Sequence, residues 1–144
     1  ALLAARRLTD FRAGLYAAPS YLAEHGDPAA PADLERHRSL RLLGRNGEPL
    51  IWTLQRGKET WAGLPPGAAT ANSPELLIRL AIAGAGIASV PDYFAQPDVR
   101  GGRLRRVLPD WSQPAHTAWA VFPGRRLMPA KTRAFLDMLQ AAME

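Results

Sequence analysis

The residues best placed to do chemistry lie together at 72–92, NSPELLIRLAIAGAGIASVPD. Asn72 and Ser73 are short polar residues of the kind that cap helices, and Pro74 follows, with a fixed φ and a missing N–H that suit a first helical turn. Glu75 then sits near the positive end of the helix dipole. If Asn72 is the cap, Glu75 falls three residues on and completes a capping box. Under either choice the helix start presents N–H groups without intrahelical partners, which makes it a candidate site for a small anion. An ordinary well-capped core helix carries the same signature, so spacing alone leaves both readings open.

Other constellations fall away on inspection. Gly84, Gly86 and Ser89 resemble part of a dinucleotide fingerprint, but these glycines follow a helix and lead into a strand, the reverse of the order that cradles a pyrophosphate. Serine, histidine and aspartate are present, yet no serine sits in a nucleophile elbow. His25, His37 and His116 lack ligand spacing, and the absence of cysteine excludes thiolate metal sites and disulfides. The cluster RGGRLRR at 100–106 has neither a helix-turn-helix pattern nor interleaved aromatics beside it, so it reads as a solvated face rather than a base-reading surface. Trp52, Trp61, Trp111 and Trp119 read most simply as packing residues. No catalytic group, cofactor site or metal site is expected.

Several elements must position the 72–92 stretch. Residues 11–18 alternate weakly and read as a strand, followed by a short helix from Pro19 that Gly26 ends. A second short helix runs over 31–37, with Leu34 inward. Residues 39–43 and 50–55 read as a hairpin closed by Asn46 and Gly47, with Trp52 and Leu54 on one covered face, and 58–62 as a third strand. Along the main helix, Leu76, Leu77, Leu80, Ala81 and Gly84 form one apolar stripe, and Ile78, Ile82 and Ala85 a second. One stripe lies on its own sheet; the other needs a neighbouring segment or a second subunit. Residues 87–90 form a buried strand that Pro91 stops. A helical turn and loop are expected over 92–102, strands over 104–108 and 117–122, and a helix over 129–143 with Phe135, Leu136 and Leu139 inward. This alternation predicts an α/β sheet covered by helices. The strands at 11–18 and 117–122 are short of neighbours in sequence.

At 144 residues, 47% of them hydrophobic and 22% charged, the chain can bury one core of ordinary size. The net charge of +5 and pI near 10.4 permit attraction to polyanions, though most arginines are scattered among apolar residues. The apolar run 76–90 is shorter than the ~20 residues needed to cross a bilayer and is broken by Arg79 and glycines. No membrane association is expected, and no signal peptide is apparent.

The combination of ARRLTDFRAGLYAAPSYLAEHG, PADLERHRSL, ANSPELLIRLAIAGAGIASVPDYF, GGRLRRVLPDW and AVFPGRRLMPAKTRAFLDML, in that order over nearly the whole chain, resembles the effector-binding domain of LysR-type transcriptional regulators. The resemblance implies a periplasmic-binding-protein-like fold of type 2, a subdomain with a mixed sheet flanked by helices, plus the C-terminal strand and helix of a second, incomplete subdomain. It implies boundaries at 1–18 for the end of the first subdomain and a crossover strand, 19–116 for the second subdomain, and 117–144 for the return strand and helix. It further implies a small-molecule inducer, a small organic acid, in an inter-subdomain cleft contacted by Ala18, Asn72, Ser73, Pro74, Val90 and Pro91. A side-by-side homodimer or higher homo-oligomer would use Leu77, Ile78, Ala81 and Ile82. Family members carry a winged helix-turn-helix and about half of the effector domain before the point where this sequence begins. The expectation is therefore a truncated, cytoplasmic, non-enzymatic chain that meets DNA only through a domain not present in it. The alternative is a stand-alone solute-binding or enzymatic domain on the same fold.

Overall fold

Residues 15–18 and 87–90 are apolar but for Ser89, and both stretches form strands or strand ends buried on two faces. They set the middle of the fold. The computed structural model describes residues 3–114, 116–123, 137–139 and 141–142, and over 3–11 and 116–123 the description is of the backbone. In chain order the elements are β1 (Leu3–Phe11), β2 (Ala13–Ala17), α1 (Pro19–His25), a 3₁₀ helix (Pro31–Arg36), β3 (Ser39–Leu42), β4 (Trp52–Arg56), β5 (Glu59–Gly63), β6 (Gly67–Ala71), α2 (Pro74–Ile82), β7 (Ile87–Pro91), α3 (Asp92–Arg100), β8 (Arg105–Val107) and β9 (His116–Pro123). Residues 137–139 and 141–142 are helical. The chain divides into a unit of Arg12–Pro114 and a unit made of Ala1–Phe11 with Ala115–Glu144.

The Arg12–Pro114 unit is built on a mixed five-stranded sheet of order β6-β3-β7-β2-β8. β3 runs parallel to β6 and β7, whereas β2 is antiparallel to β7 and β8. On one face α2 and α3 bring Leu77, Ile78, Ala81 and Ala95 against Tyr16, Leu40, Ala88 and Val90. On the other, Tyr21, Leu22, Leu34, Trp52, Leu54 and Trp111 cover Leu15, Ala17, Ile87 and Val107. Each large side chain buried in this way contributes about 1.5–3 kcal/mol. In the other unit β1 and β9 form an antiparallel ribbon from Leu3 opposite Pro123 to Phe11 opposite His116, with a register shift between Arg7 and Thr9.

The main helix forms as its caps dictate. Ser73 Oγ accepts a hydrogen bond from the Leu76 N–H at 3.3 Å, and Gly84 just past the end adopts φ +84°, a conformation costly for any residue with a side chain. Trp52 and Leu54 are both buried, as their shared face requires.

Four expectations are corrected. The single strand at 11–18 is two strands broken at Arg12, and β2 has a partner on each side, β7 and β8. The residues before Arg12 form β1. The turn at Asn46 and Gly47 does form, but it closes no hairpin between β3 and β4. Leu43 and Pro49 make one isolated bridge; β3 is already flanked by β6 and β7 in the sheet, and β4 pairs instead with β5 across the tight turn at Gly57. Finally, 92–102 is a full helix to Arg100, tolerating Pro97 within it. The expected helix at 129–143 lies largely outside the described residues.

Candidate functional site

Strand direction decides which of the expected contacts can meet. β3, β6 and β7 are parallel, so Leu42, Ala71 and Pro91 end at the same edge of the sheet. Asn72, Ser73 and Pro74 continue from β6 at that edge, beside Val90 and Pro91 of β7. Asn72 is exposed, Ser73 and Pro74 are half-buried, and Val90 is buried beneath them in the α2 face of the core. Ala18 does not join this group. β2 runs the opposite way, with Ala13 beside Pro91 and Tyr16 beside Ala88, which carries Ala18 to the far edge, where it is buried.

A polar cluster that sequence spacing did not reveal sits at the near edge. Tyr16 of β2 donates its hydroxyl to Asp92 Oδ1 at 2.5 Å, and Asp92 opens α3 directly after Pro91. Arg106 of β8 reaches the same oxygen at 3.4 Å, the Tyr16 hydroxyl at 3.4 Å and the Trp111 carbonyl at 3.5 Å. Its guanidinium lies across the backbone of Gly14, where a Cβ would fall 2.5 Å from Cζ, so a residue without a side chain is what lets it pass. Burial, reinforced by the bond to Asp92 and partly opposed by Arg106, pushes the Tyr16 phenol far above its ordinary value near 10. The cluster ties β2, β8 and the start of α3 together through residues 76 and 90 apart in sequence. No local pattern announces such a contact; only the acidic residue in the first turn of α3 was a usable signal. On the other face of the same edge, the Gln113 side-chain amide donates to Ser89 Oγ at 2.8 Å.

Three of the four arginines in the basic cluster, Arg100 being the exception among the described residues, make ion pairs. Arg103 binds Asp98 at 2.7 Å, Arg105 binds Asp27 at 2.8 Å and Arg106 approaches Asp92. By contrast Arg12, exposed at the near edge where its carbonyl accepts from the Asp92 N–H, has no ion-pair partner among the described residues. Among those residues no group of histidine and acidic side chains is arranged to hold a metal, and no helix is long and apolar enough to cross a membrane.

The outer surface of α2 differs from the expected stripe. Leu77 and Ala81 are fully buried in their own unit and Ile78 is 5% exposed, so three of the four residues expected to meet a second subunit are core residues. Leu76 apart, the stripes pack inward, against the sheet and against Ala95 and Val99 of α3. What α2 shows to solvent is Glu75, Leu76 and Arg79, with Ile82 half-buried. Shallow cavities of about 280 and 230 Å³ flank Glu75 and Arg79, which have no ion-pair partners among the described residues.

Comparison with known proteins places this architecture. The sequence profile of the LysR substrate binding domain matches residues 1–144. The chain belongs to that family. It is 36% identical over 140 residues to an HTH-type transcriptional regulator of Xanthomonas campestris pv. campestris (strain 8004), covering 95% of this chain and 41% of that protein. It is 33% identical over 138 residues to the HTH-type transcriptional regulator PtxR of Pseudomonas aeruginosa, covering 96% and 44%. The chain thus spans less than half the length of these curated relatives. Among solved structures, the full-length virulence activator AphB of Vibrio cholerae superposes with a TM-score of 0.84 at 26% identity, over 97% of this chain and 48% of that one. The CrgA regulator of Neisseria meningitidis gives 0.81 at 29% identity, over 98% and 48%. A mixed sheet flanked by helices, as seen here, is the periplasmic-binding-protein-like fold of these LysR regulatory domains. In this LysR substrate-binding domain Asn72, Ser73, Pro74, Val90 and Pro91 converge at one sheet edge.

Proposed function

We propose that the chain is the effector-sensing region of a cytoplasmic LysR-type transcriptional regulator, and that it holds a small organic acid at the edge where β3, β6 and β7 end. The observation that carries the reading is convergence: the start of α2 with its first-turn N–H groups, the exposed Asn72 amide and the Arg12 guanidinium, without an ion-pair partner among the described residues, belong to one edge. Helix N–H groups and a guanidinium are both carboxylate-binding chemistry. The effector would act by favouring whichever conformation it binds better, with DNA contacted by a helix-turn-helix of the kind for which the relatives are named. Ala18, at the far edge, is outside this assignment.

The test is a thermal-shift and calorimetric screen of mono- and dicarboxylic acids. A specific acid should raise the melting temperature in proportion to the logarithm of its concentration. Asn72→Ala and Arg12→Gln should weaken that acid while leaving the unliganded melting temperature in place. An acid that binds both variants as tightly as the parent would remove the site from this edge; a panel without a binder would remove the organic-acid class.

We further propose that a second copy packs on the outer surface of α2. Two antiparallel α2 helices would bring each Glu75 to the other copy's Arg79 and cover Leu76, which is 48% exposed. This charge complementarity supports α2 as the shared surface, with Ile82 at its margin and Leu77, Ile78 and Ala81 supporting it from within.

A further inference from the structure

At the sheet edge opposite the proposed effector site, α1 meets the 3₁₀ helix and the start of β3 through one buried hydrogen-bonded chain. The Arg38 backbone N–H donates to the Tyr21 hydroxyl oxygen at 3.2 Å, and that hydroxyl lies 2.9 Å from His37 Nδ1. Tyr21 is 2% exposed and His37 7%. Because the Tyr21 oxygen already accepts from Arg38, its own proton is left to donate, and His37 Nδ1 is the acceptor within reach. The Tyr21 proton has this acceptor only when His37 is neutral with its own proton on Nε2. A proton added at Nδ1 would put two donors face to face and leave the Tyr21 hydroxyl hydrogen without an acceptor in the core, a costly arrangement.

The surroundings act in the same direction. His25 of α1 stacks on the Tyr21 ring, with centroids 4.4 Å apart, and its charge acts against a proton on His37. The charged groups around the pair are Glu24 of α1, 4.0 Å from His25; Asp27, held by Arg105 of β8; Asp33 and Arg36 of the 3₁₀ helix, bound to each other at 2.8 Å; and Arg38 of β3. Neither nearby aspartate is free, since each has its own arginine. Burial, then the charges of His25 and Arg36, hold the His37 imidazole below its ordinary value near 6.5.

We propose that Tyr21 and His37 form an acid-releasable clasp that pins α1 to the 3₁₀ helix and β3 at neutral pH and lets go when His37 takes a proton. With the folded value depressed, the clasped form binds a proton less well than the open form. Its stability is present above the ordinary histidine value and is lost as pH falls through the window below about 6.5. Release is local, because the second face of the sheet, with Leu40, Leu77 and Val90, does not depend on Tyr21. The clasp is independent of the effector assignment.

Histidine NMR titration of the full chain, together with hydrogen exchange of residues 19–38 corrected for intrinsic rates, tests it. The His37 midpoint should lie below 6.5 and move up in Tyr21→Phe, which removes the donor. Opening of 19–38 should grow about tenfold per pH unit below 6.5, the slope of a single linked proton, while exchange in α2 stays flat. His37→Asn, which keeps an acceptor near Nδ1 but does not titrate, should abolish the slope. A His37 midpoint at or above 6.5, a flat parent profile, or a slope that survives in His37→Asn would overturn the clasp. Should the asparagine variant fail to fold, the parent midpoint and slope decide the matter by themselves.

Discussion

Replacing Leu77 by alanine and Leu76 by aspartate separates the core of α2 from its proposed contact surface, although the two leucines are neighbours. Leu77 is fully buried, packed with Tyr16, Leu40, Ala88 and Val90 beneath the helix. Truncating it loses the transfer free energy of the removed carbons and leaves a cavity, together about 2–5 kcal/mol. For a chain of this size that is a fall of about 6–20 °C in melting temperature, at roughly 3–4 °C per kcal/mol. Leu76 is 48% exposed, so a charge there should change the stability of the separate subunit by no more than about 0.5 kcal/mol. It should, however, place two like charges across a paired α2 surface and lower the apparent mass. Differential scanning calorimetry and light scattering after gel filtration read the two effects separately, at low protein concentration for the melting so that dissociation does not mask it. A Leu77→Ala loss under about 1 kcal/mol would refute the packing argument. An undiminished mass for Leu76→Asp would refute the α2 contact.

Three further outcomes follow from single contacts. Ser73→Ala removes the side-chain acceptor for Leu76 N–H and should cost about 1 kcal/mol in chemical denaturation, recovered in large part by Ser73→Asp. The Tyr16 phenol, pushed up by burial and by Asp92, should stay protonated at pH 11 in a 295 nm absorbance titration. Since its folded value is raised, the associated stability is complete below pH about 10 and should disappear as pH climbs above it; Tyr16→Phe should remove that alkaline loss. Gly14→Ala would put a Cβ within 2.5–2.8 Å of the Arg106 guanidinium and should displace it, at a cost of about 1–3 kcal/mol, measurable by denaturation and relieved in the Arg106→Ala background.

The elements most legible in sequence were those whose ends carry their own chemistry. Ser73 and Pro74 at one end and Gly84 at the other fix α2 within a residue, and Pro91 marks the end of β7. Trp52 and Leu54 announced a covered face. What failed did so for lack of a local cause. The hairpin between β3 and β4 had the right turn and the right alternation, but β3 lies inside the sheet between β6 and β7, partners more than twenty residues away in sequence. The two stripes of α2 were correctly apolar, and of the two covers open to the second, a neighbouring segment or another subunit, α3 supplies the first through Ala95 and Val99 of the same cluster. Reading 92–102 as mainly loop gave Pro97 and the glycines more weight than the acidic first turn deserved to lose.

The candidate site shows why sheet direction matters more than proximity in the chain. Ala18 and Pro91 each stand at the C-terminal end of a strand, and a wholly parallel sheet would bring such ends to one edge. β2 is antiparallel to β7, so their C-terminal ends part: Pro91 goes to the edge with Asn72 and Ser73, and Ala18 to the edge with His37 and Tyr21. The same reversal brings the start of β2, with Arg12 and Gly14, to the proposed effector edge, and there Gly14 admits Arg106 to Tyr16 and Asp92. The end of β2, where Ala18 lies, and its beginning, where Arg12 lies, thus stand at opposite edges of the sheet, and the proposed carboxylate site uses the beginning. Exchanging Ala18 for a larger residue should therefore disturb the Leu22 and Leu34 side of the core, read as lost stability, and leave carboxylate binding at Asn72 untouched.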